Sequence, residues 1–208
     1  DVADELFREL PEGGARWQAS TFLAQEYAKL GTEEAIKWAE NFPDKDDRMR
    51  ETILGQLGAK LSRQDLQGTA NWVRKMDNDN ASKRVTDNLL MQWVSQDAAG
   101  ASQWVNAIEN EGKRVYAMRQ LASQWSLSDP VSTAKWLNSL TPGPNLDPAV
   151  GEFVNRISAR DPEGAIGWAM TIHDKKAKDR ALGKALGAWE KIDPAKAKSW
   201  KQANNLAN

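Results

Sequence analysis

Trp125-Ser126-Leu127-Ser128-Asp129-Pro130-Val131-Ser132-Thr133-Ala134-Lys135-Trp136 holds the end of one helix, a turn and the start of another. An aspartate carboxylate accepts hydrogen bonds from the free N–H groups of a helix's first turn, and proline at the first helical position loses nothing by lacking its own N–H. Asp129-Pro130 therefore marks a helix start. Trp136, seven residues on, lies two turns into that helix, and Trp125 lies at the end of the helix before it.

The same arrangement recurs along the chain. A small residue three places before tryptophan appears as Ala35 to Trp38, Thr69 to Trp72, Ala101 to Trp104, Thr133 to Trp136, Ala165 to Trp168 and Ala197 to Trp200, at intervals of 34, 32, 32, 32 and 32 residues. Such a fixed period is the signature of a helical repeat array. Eleven residues before each of these tryptophans comes a large apolar residue: Tyr27, Leu61, Trp93, Trp125, Ile157 and Trp189. Between the two columns lies the turn position, occupied by Gly31, Asp65, Asp97, Asp129, Asp161 and Asp193; proline follows the last three.

Apolar residues also follow the tryptophan by four, at Phe42, Met76, Ile108, Leu140 and Ile172. Upstream of the turn, Ile53, Val85, Ala117, Ala149 and Ala181 form one column, and Leu57, Leu89, Leu121, Phe153 and Ala185 the next, four residues later. This helical spacing gives a broad apolar face. Each unit is predicted to be a helix of about three to four turns, a tight connection and a capped second helix of similar length. The fold class expected is all-α, a right-handed α-solenoid of about six 32-residue helix–turn–helix repeats covering 1–208 as one array. Phe42-Pro43-Asp44-Lys45-Asp46-Asp47 holds the two-residue insertion. Thr141-Pro142-Gly143-Pro144 breaks the pattern before another expected cap at Asp147-Pro148.

The ends read differently. One period back from Trp38 falls Leu6, between Ala3 and Leu10-Pro11, so the chain is expected to begin inside the second helix of an earlier unit, as part of a longer sequence with further copies upstream. At the other end Lys201 and Asn204 stand where earlier units have apolar residues. A terminal capping helix over 194–206 is expected there, with few or no copies beyond Asn208.

Composition narrows the function classes. Ten tryptophans against two tyrosines and four phenylalanines point to one packing solution used repeatedly. Lys+Arg 28 and Asp+Glu 29 leave a net charge of −1, without the field that would draw the chain to nucleic acid, so no nucleic-acid partner is expected. With no cysteine there is neither a disulfide nor a thiolate site, and the compartment is unreadable. No apolar run is long enough for membrane insertion, and the acidic opening residues do not resemble a secretory leader. His173 is the only histidine, which rules out a two-histidine metal site and a conventional Ser-His-Asp arrangement within the chain. No metal, cofactor or catalytic residue is expected, and a monomer is. The segment Asp174-Lys175-Lys176-Ala177-Lys178-Asp179-Arg180 reads as a solvated loop and helix start.

Asp161-Pro162-Glu163-Gly164-Ala165-Ile166-Gly167-Trp168 resembles the junction of tetratricopeptide repeats, and Asp129 to Trp136 and Asp193 to Trp200 fit more loosely. Thr171 and Ile172 stand where that family carries Leu-Gly. The resemblance implies that the tryptophan helices line a concave groove binding peptides or partner helices, and it places groove residues one, two and five positions after each tryptophan. The second and third of these columns give the candidates Glu40, Arg74, Asp77, Asn106, Glu109 and Asn138, with Met170, Gln202 and His173 at matching places. Asn106 and Asn138 are the more suggestive, because an amide can both donate to and accept from an extended peptide backbone. The function expected is a non-enzymatic protein- or peptide-binding scaffold. The alternative is an (α/α) toroid acting on glycans, or a carbohydrate-binding module using tryptophan rings.

Overall fold

A computed structural model describes residues 2–42, 47–76 and 79–204. Among these residues there are twelve α-helices and no strand. They are α1 Val2–Glu9, α2 Gly14–Leu30, α3 Thr32–Glu40, α4 Asp47–Gln64, α5 Leu66–Lys75, α6 Asp79–Asn106, α7 Glu111–Ser128, α8 Pro130–Ser139, α9 Asp147–Ile157, α10 Pro162–Met170, α11 Lys175–Ile192 and α12 Pro194–Ala203. The chain divides into two compact units, Asp1–Ile108 and Glu109–Asn208. No helix among the described residues is long and apolar enough to cross a membrane.

The aspartate turns are present in both units. Asp65 accepts from the Gly68 N–H at 2.8 Å, Asp97 from Gly100 at 2.9 Å, Asp129 from Ser132 at 2.9 Å, Asp161 from Gly164 at 2.9 Å and Asp193 from Lys196 at 3.0 Å. All five share one backbone conformation, with φ between −142° and −156° and ψ between 75° and 89°. This extended geometry swings the side chain back over the helix it precedes. Asp97 lies inside α6 and bends it sharply, so α6 is two helices meeting at a cap. Gly31 occupies the same place before α3 at φ 125°, a conformation that suits glycine alone.

The two helices of a unit are unequal, which corrects the expectation of similar lengths. Those ahead of the turn run 17 or 18 residues in α2, α4, α7 and α11, and those after it only 9 or 10 in α3, α5, α8, α10 and α12. The apolar residue four places after the tryptophan lies beyond the short helix. At Met76 and Leu140 the backbone has turned extended, and Phe42, Met76, Ile108 and Ile172 are buried there. That position anchors the chain as it leaves the helix. The expected insertion around 43–46 falls outside the described residues, as do residues 205 and 206 of the expected terminal helix.

The two columns meet as ring pairs across three of the turns. Trp93 and Trp104 have ring centroids 5.8 Å apart, Trp125 and Trp136 6.1 Å, both pairs tilted by 37°. Tyr27 stacks on Trp38 at 4.6 Å. Where isoleucine stands at 157, Trp168 takes its aromatic partner one turn earlier, from Phe153 at 5.1 Å. Trp38, Trp72, Trp93, Trp104, Trp136 and Trp189 are buried, and Trp125, Trp168 and Trp200 half-buried. The columns running from Ile53 and from Leu57 are buried throughout.

Successive long helices are tied by side chains about one period apart. Asn88 donates to the Gly55 carbonyl at 3.2 Å, and Arg156 to the Ser123 hydroxyl at 2.6 Å. Gly58 permits the closest approach: a Cβ on it would lie 2.8 Å from both methyl groups of Val85.

Candidate functional site

In the second unit, α8, the loop after it, the start of α9 and the end of α10 enclose a recess of about 110 Å³. Its walls are apolar, from Leu137, Leu140, Pro142, Leu146, Val150 and Trp168, and its polar groups are Asn138, Asp147, Thr171 and His173. A second, shallower cleft of about 270 Å³ adjoins it, sharing Asn138, Trp168 and Thr171 and extending over Gly164 and Gly167. Together they form a groove between the short helices α8 and α10, with the half-buried Trp168 ring on its wall and the exposed Asn138 amide at its edge.

Asp147 shapes this site in a way its sequence context hides. Asp147-Pro148 has the same signature as the other helix starts, but here the aspartate does not cap α9. The preceding turn is closed by Leu146 N–H to the Gly143 carbonyl at 2.9 Å and Asp147 N–H to Pro144 at 3.3 Å. The cap position falls to Leu146 in a helical conformation, with no side-chain cap bond. Already inside the helix, Asp147 cannot fold back over its own first turn, and its carboxylate points to the loop after α10. It accepts the backbone N–H of His173 at 2.9 and 3.0 Å, that of Asp174 at 2.7 Å, and lies 3.1 Å from His173 Nδ1. Burial works to raise the Asp147 pKa. The two backbone donors and the imidazole together outweigh it, so the carboxyl titrates below its usual 3.8. Asp174 in turn caps α11 by accepting the Ala177 N–H at 2.8 Å.

His173 is therefore not simply a surface residue. Its backbone is fixed by Asp147 and its ring is held by the same carboxylate, while nearly half of the side chain faces solvent. A ring placed this way can present Nε2 as a hydrogen-bonding group at the rim of the recess. Thr171, which supplies the recess with a hydroxyl, donates to the Trp168 carbonyl at 2.8 Å. Among the described residues no cluster of three or more histidine and acidic side chains suits a metal ion.

Of the groove candidates, the recess gathers Asn138 and, from the matching column, His173. Glu40, Arg74 and Asn106 are exposed on the last turns of α3, α5 and α6 in the first unit, and Glu109 is exposed just before α7. Asp77 lies outside the described residues. Sequence reasoning missed Asp147, Leu146 and Val150 as lining residues. The available signal was the Pro142-Gly143-Pro144 interruption, which marks the unit whose loop differs from the rest.

No protein-family profile, curated protein or solved structure matches this chain.

Proposed function

We propose that the chain is a right-handed α-solenoid of about six tetratricopeptide-like repeats and serves as a peptide-binding scaffold without catalytic activity. The observation that carries this reading is the groove between α8 and α10, where an apolar recess sized for one side chain lies beside the exposed Asn138 amide. An extended peptide needs these two elements: a pocket for an alternate side chain and a donor–acceptor for its backbone. Five aspartates at repeated positions, which a glycan hydrolase could draw on, are engaged in caps: Asp65, Asp97, Asp129, Asp161 and Asp193. Trp38, Trp72, Trp93, Trp104, Trp136 and Trp189 are buried and offer no open ring face to a sugar.

The test is selection from a random dodecapeptide library, followed by titration of the selected peptides. Asn138→Ala weakens binding about 3- to 10-fold, the value of one neutral hydrogen bond. Gly167→Phe abolishes it, because space around Gly167 is open and the ring would fill the cleft. Peptides indifferent to both changes would remove this groove as the site. Small-angle scattering tests the architecture, since a closed toroid brings the terminal repeats together and a solenoid holds them apart.

A further inference from the structure

α1 and α2 share an open apolar face at places that later units cover. Leu6 on α1 stands one period before Trp38 and is 60% exposed. At the same place Trp38, Trp72, Trp104 and Trp136 are buried, each against the long helix of its own unit, as where Tyr27 stacks on Trp38 and Trp93 meets Trp104. α3, α5, α8 and α10 each pack between two long helices, and α1 packs against α2.

Counting by the repeat, Phe22 on α2 stands where Gln56, Asn88, Gln120, Glu152 and Lys184 stand. This column faces the long helix before it: Asn88 donates to the Gly55 carbonyl at 3.2 Å, and Glu152 accepts from the Ser123 hydroxyl at 3.3 Å. Phe22 is its one apolar member and is 62% exposed. One turn earlier Ala19 is half-buried, whereas its counterparts Ile53, Val85, Ala117, Ala149 and Ala181 are all buried. Exposure alone does not mark the face. Leu30 is 65% exposed too, but its column of Gln64, Gln96, Ser128, Arg160 and Ile192 is exposed throughout.

The register also selects the helix that fits. Val85 meets Gly58, so Ala19 faces the Gly58 column, while Phe22 faces the columns of Gly55 and Ser123, and Leu6 that of Trp93 and Trp125. A phenylalanine ring needs small residues opposite it, and an alanine needs a large one. The sequence of α11 carries this pattern: Gly183 and Gly187 in the two columns facing Phe22, Leu186 in the column facing Ala19, and Trp189 in the column facing Leu6.

We propose that the face formed by α1 and α2 docks one amphipathic α-helix of a partner. That helix carries small residues at two positions four apart against Phe22, a large apolar residue between them against Ala19, and an aromatic residue or leucine two places beyond against Leu6. The site does not rest on the Asn138 groove, and Asn138→Ala leaves it unchanged.

The probe is a fluorescein-labelled peptide of the α11 sequence, residues 174–192, titrated with the full chain and followed by anisotropy. It binds, and its helical circular dichroism rises on binding, since an isolated helix of this length is marginal in water. Leu6→Ala and Phe22→Ala both weaken binding, Phe22→Ala by about tenfold or more, as for truncation of an aromatic anchor. Leu30→Ala, which removes an equally exposed side chain outside the face, leaves it within about twofold. In the peptide, Gly183→Leu with Gly187→Leu abolishes binding while keeping the charge and raising helix propensity. The three side chains changed in the chain are exposed, so its fold is kept, and circular dichroism of each variant checks this. Four results would overturn the proposal: no binding of the α11 peptide, equal losses in Leu30→Ala and Phe22→Ala, full binding of the leucine-substituted peptide, or self-association of the chain in sedimentation that Phe22→Ala abolishes, which would make the occupant a second copy.

Discussion

The carboxylate of Asp147, at the first position of α9, accepts the backbone N–H of His173 twenty-six residues later and holds the imidazole of the same residue. One side chain thus fixes the loop that closes the recess and sets where α11 begins. Removing it leaves the His173 and Asp174 N–H groups without their buried acceptor. Asp147→Ala is expected to cost about 2–3 kcal/mol and to lower Tm by about 5–10 °C. Thermal melts of the two proteins measure this directly; an unchanged Tm would mean the tie is dispensable.

The same contact predicts an acid dependence. The folded pKa of Asp147 is lowered, so its contribution is complete above the unfolded value near 3.8 and is lost as pH falls through the folded value. Asp129 shifts in the same direction, chiefly because the Ser132 hydroxyl and backbone N–H bind its charged form. Asp147→Asn should therefore melt below the parent at neutral pH and converge with it in acid. Parallel melting curves from about pH 6 down to about pH 3 would contradict this linkage.

Trp104 and Trp136 are buried with no hydrogen-bond partner for either indole N–H. Truncation to alanine should cost about 3–5 kcal/mol at either site, through lost burial and the cavity left behind. Trp136→Phe should cost clearly less than Trp136→Ala, because the ring loses volume but no hydrogen bond. Denaturant unfolding of the three variants gives the order, and an equal cost for the Phe and Ala replacements would show that shape alone decides this site.

Glycine replacements should split by location. Gly58→Ala places a methyl 2.8 Å from both methyl groups of buried Val85 and should destabilise by about 1–3 kcal/mol. Gly187→Ala on α11 meets open space and should stabilise by about 0.5–1 kcal/mol through helix propensity. A double-mutant cycle of Gly58→Ala with Val85→Ala should show coupling, because the smaller side chain relieves the clash. Additivity within about 0.3 kcal/mol would place the strain elsewhere.

Much of the fold was legible because the repeat records local physics several times over. Each cap needs only an aspartate and the N–H three residues on, so Asp65, Asp97, Asp129, Asp161 and Asp193 could be read from the chain. The buried columns followed from spacing alone. Helix lengths were less legible: the apolar residue after each tryptophan looks like another helical turn whether it continues the helix or anchors the chain beyond it. For the candidate site, Asn138 was a candidate only through the tetratricopeptide resemblance, and Asp147 reads in sequence as one more helix cap.

By itself, the sequence determined an all-helical chain, the phase of its turns and the side chains that fill its core, because these depend on contacts between residues close in sequence or repeated at a fixed interval. Tertiary structure decided what happens at the interrupted unit. Asp147 has the same neighbours in sequence as a capping aspartate, yet the turn at 143–146 places it inside α9, and its hydrogen bonds go to His173 and Asp174. A carboxylate takes whichever donors its backbone brings within reach, and here that depended on how α9 and α10 pack together.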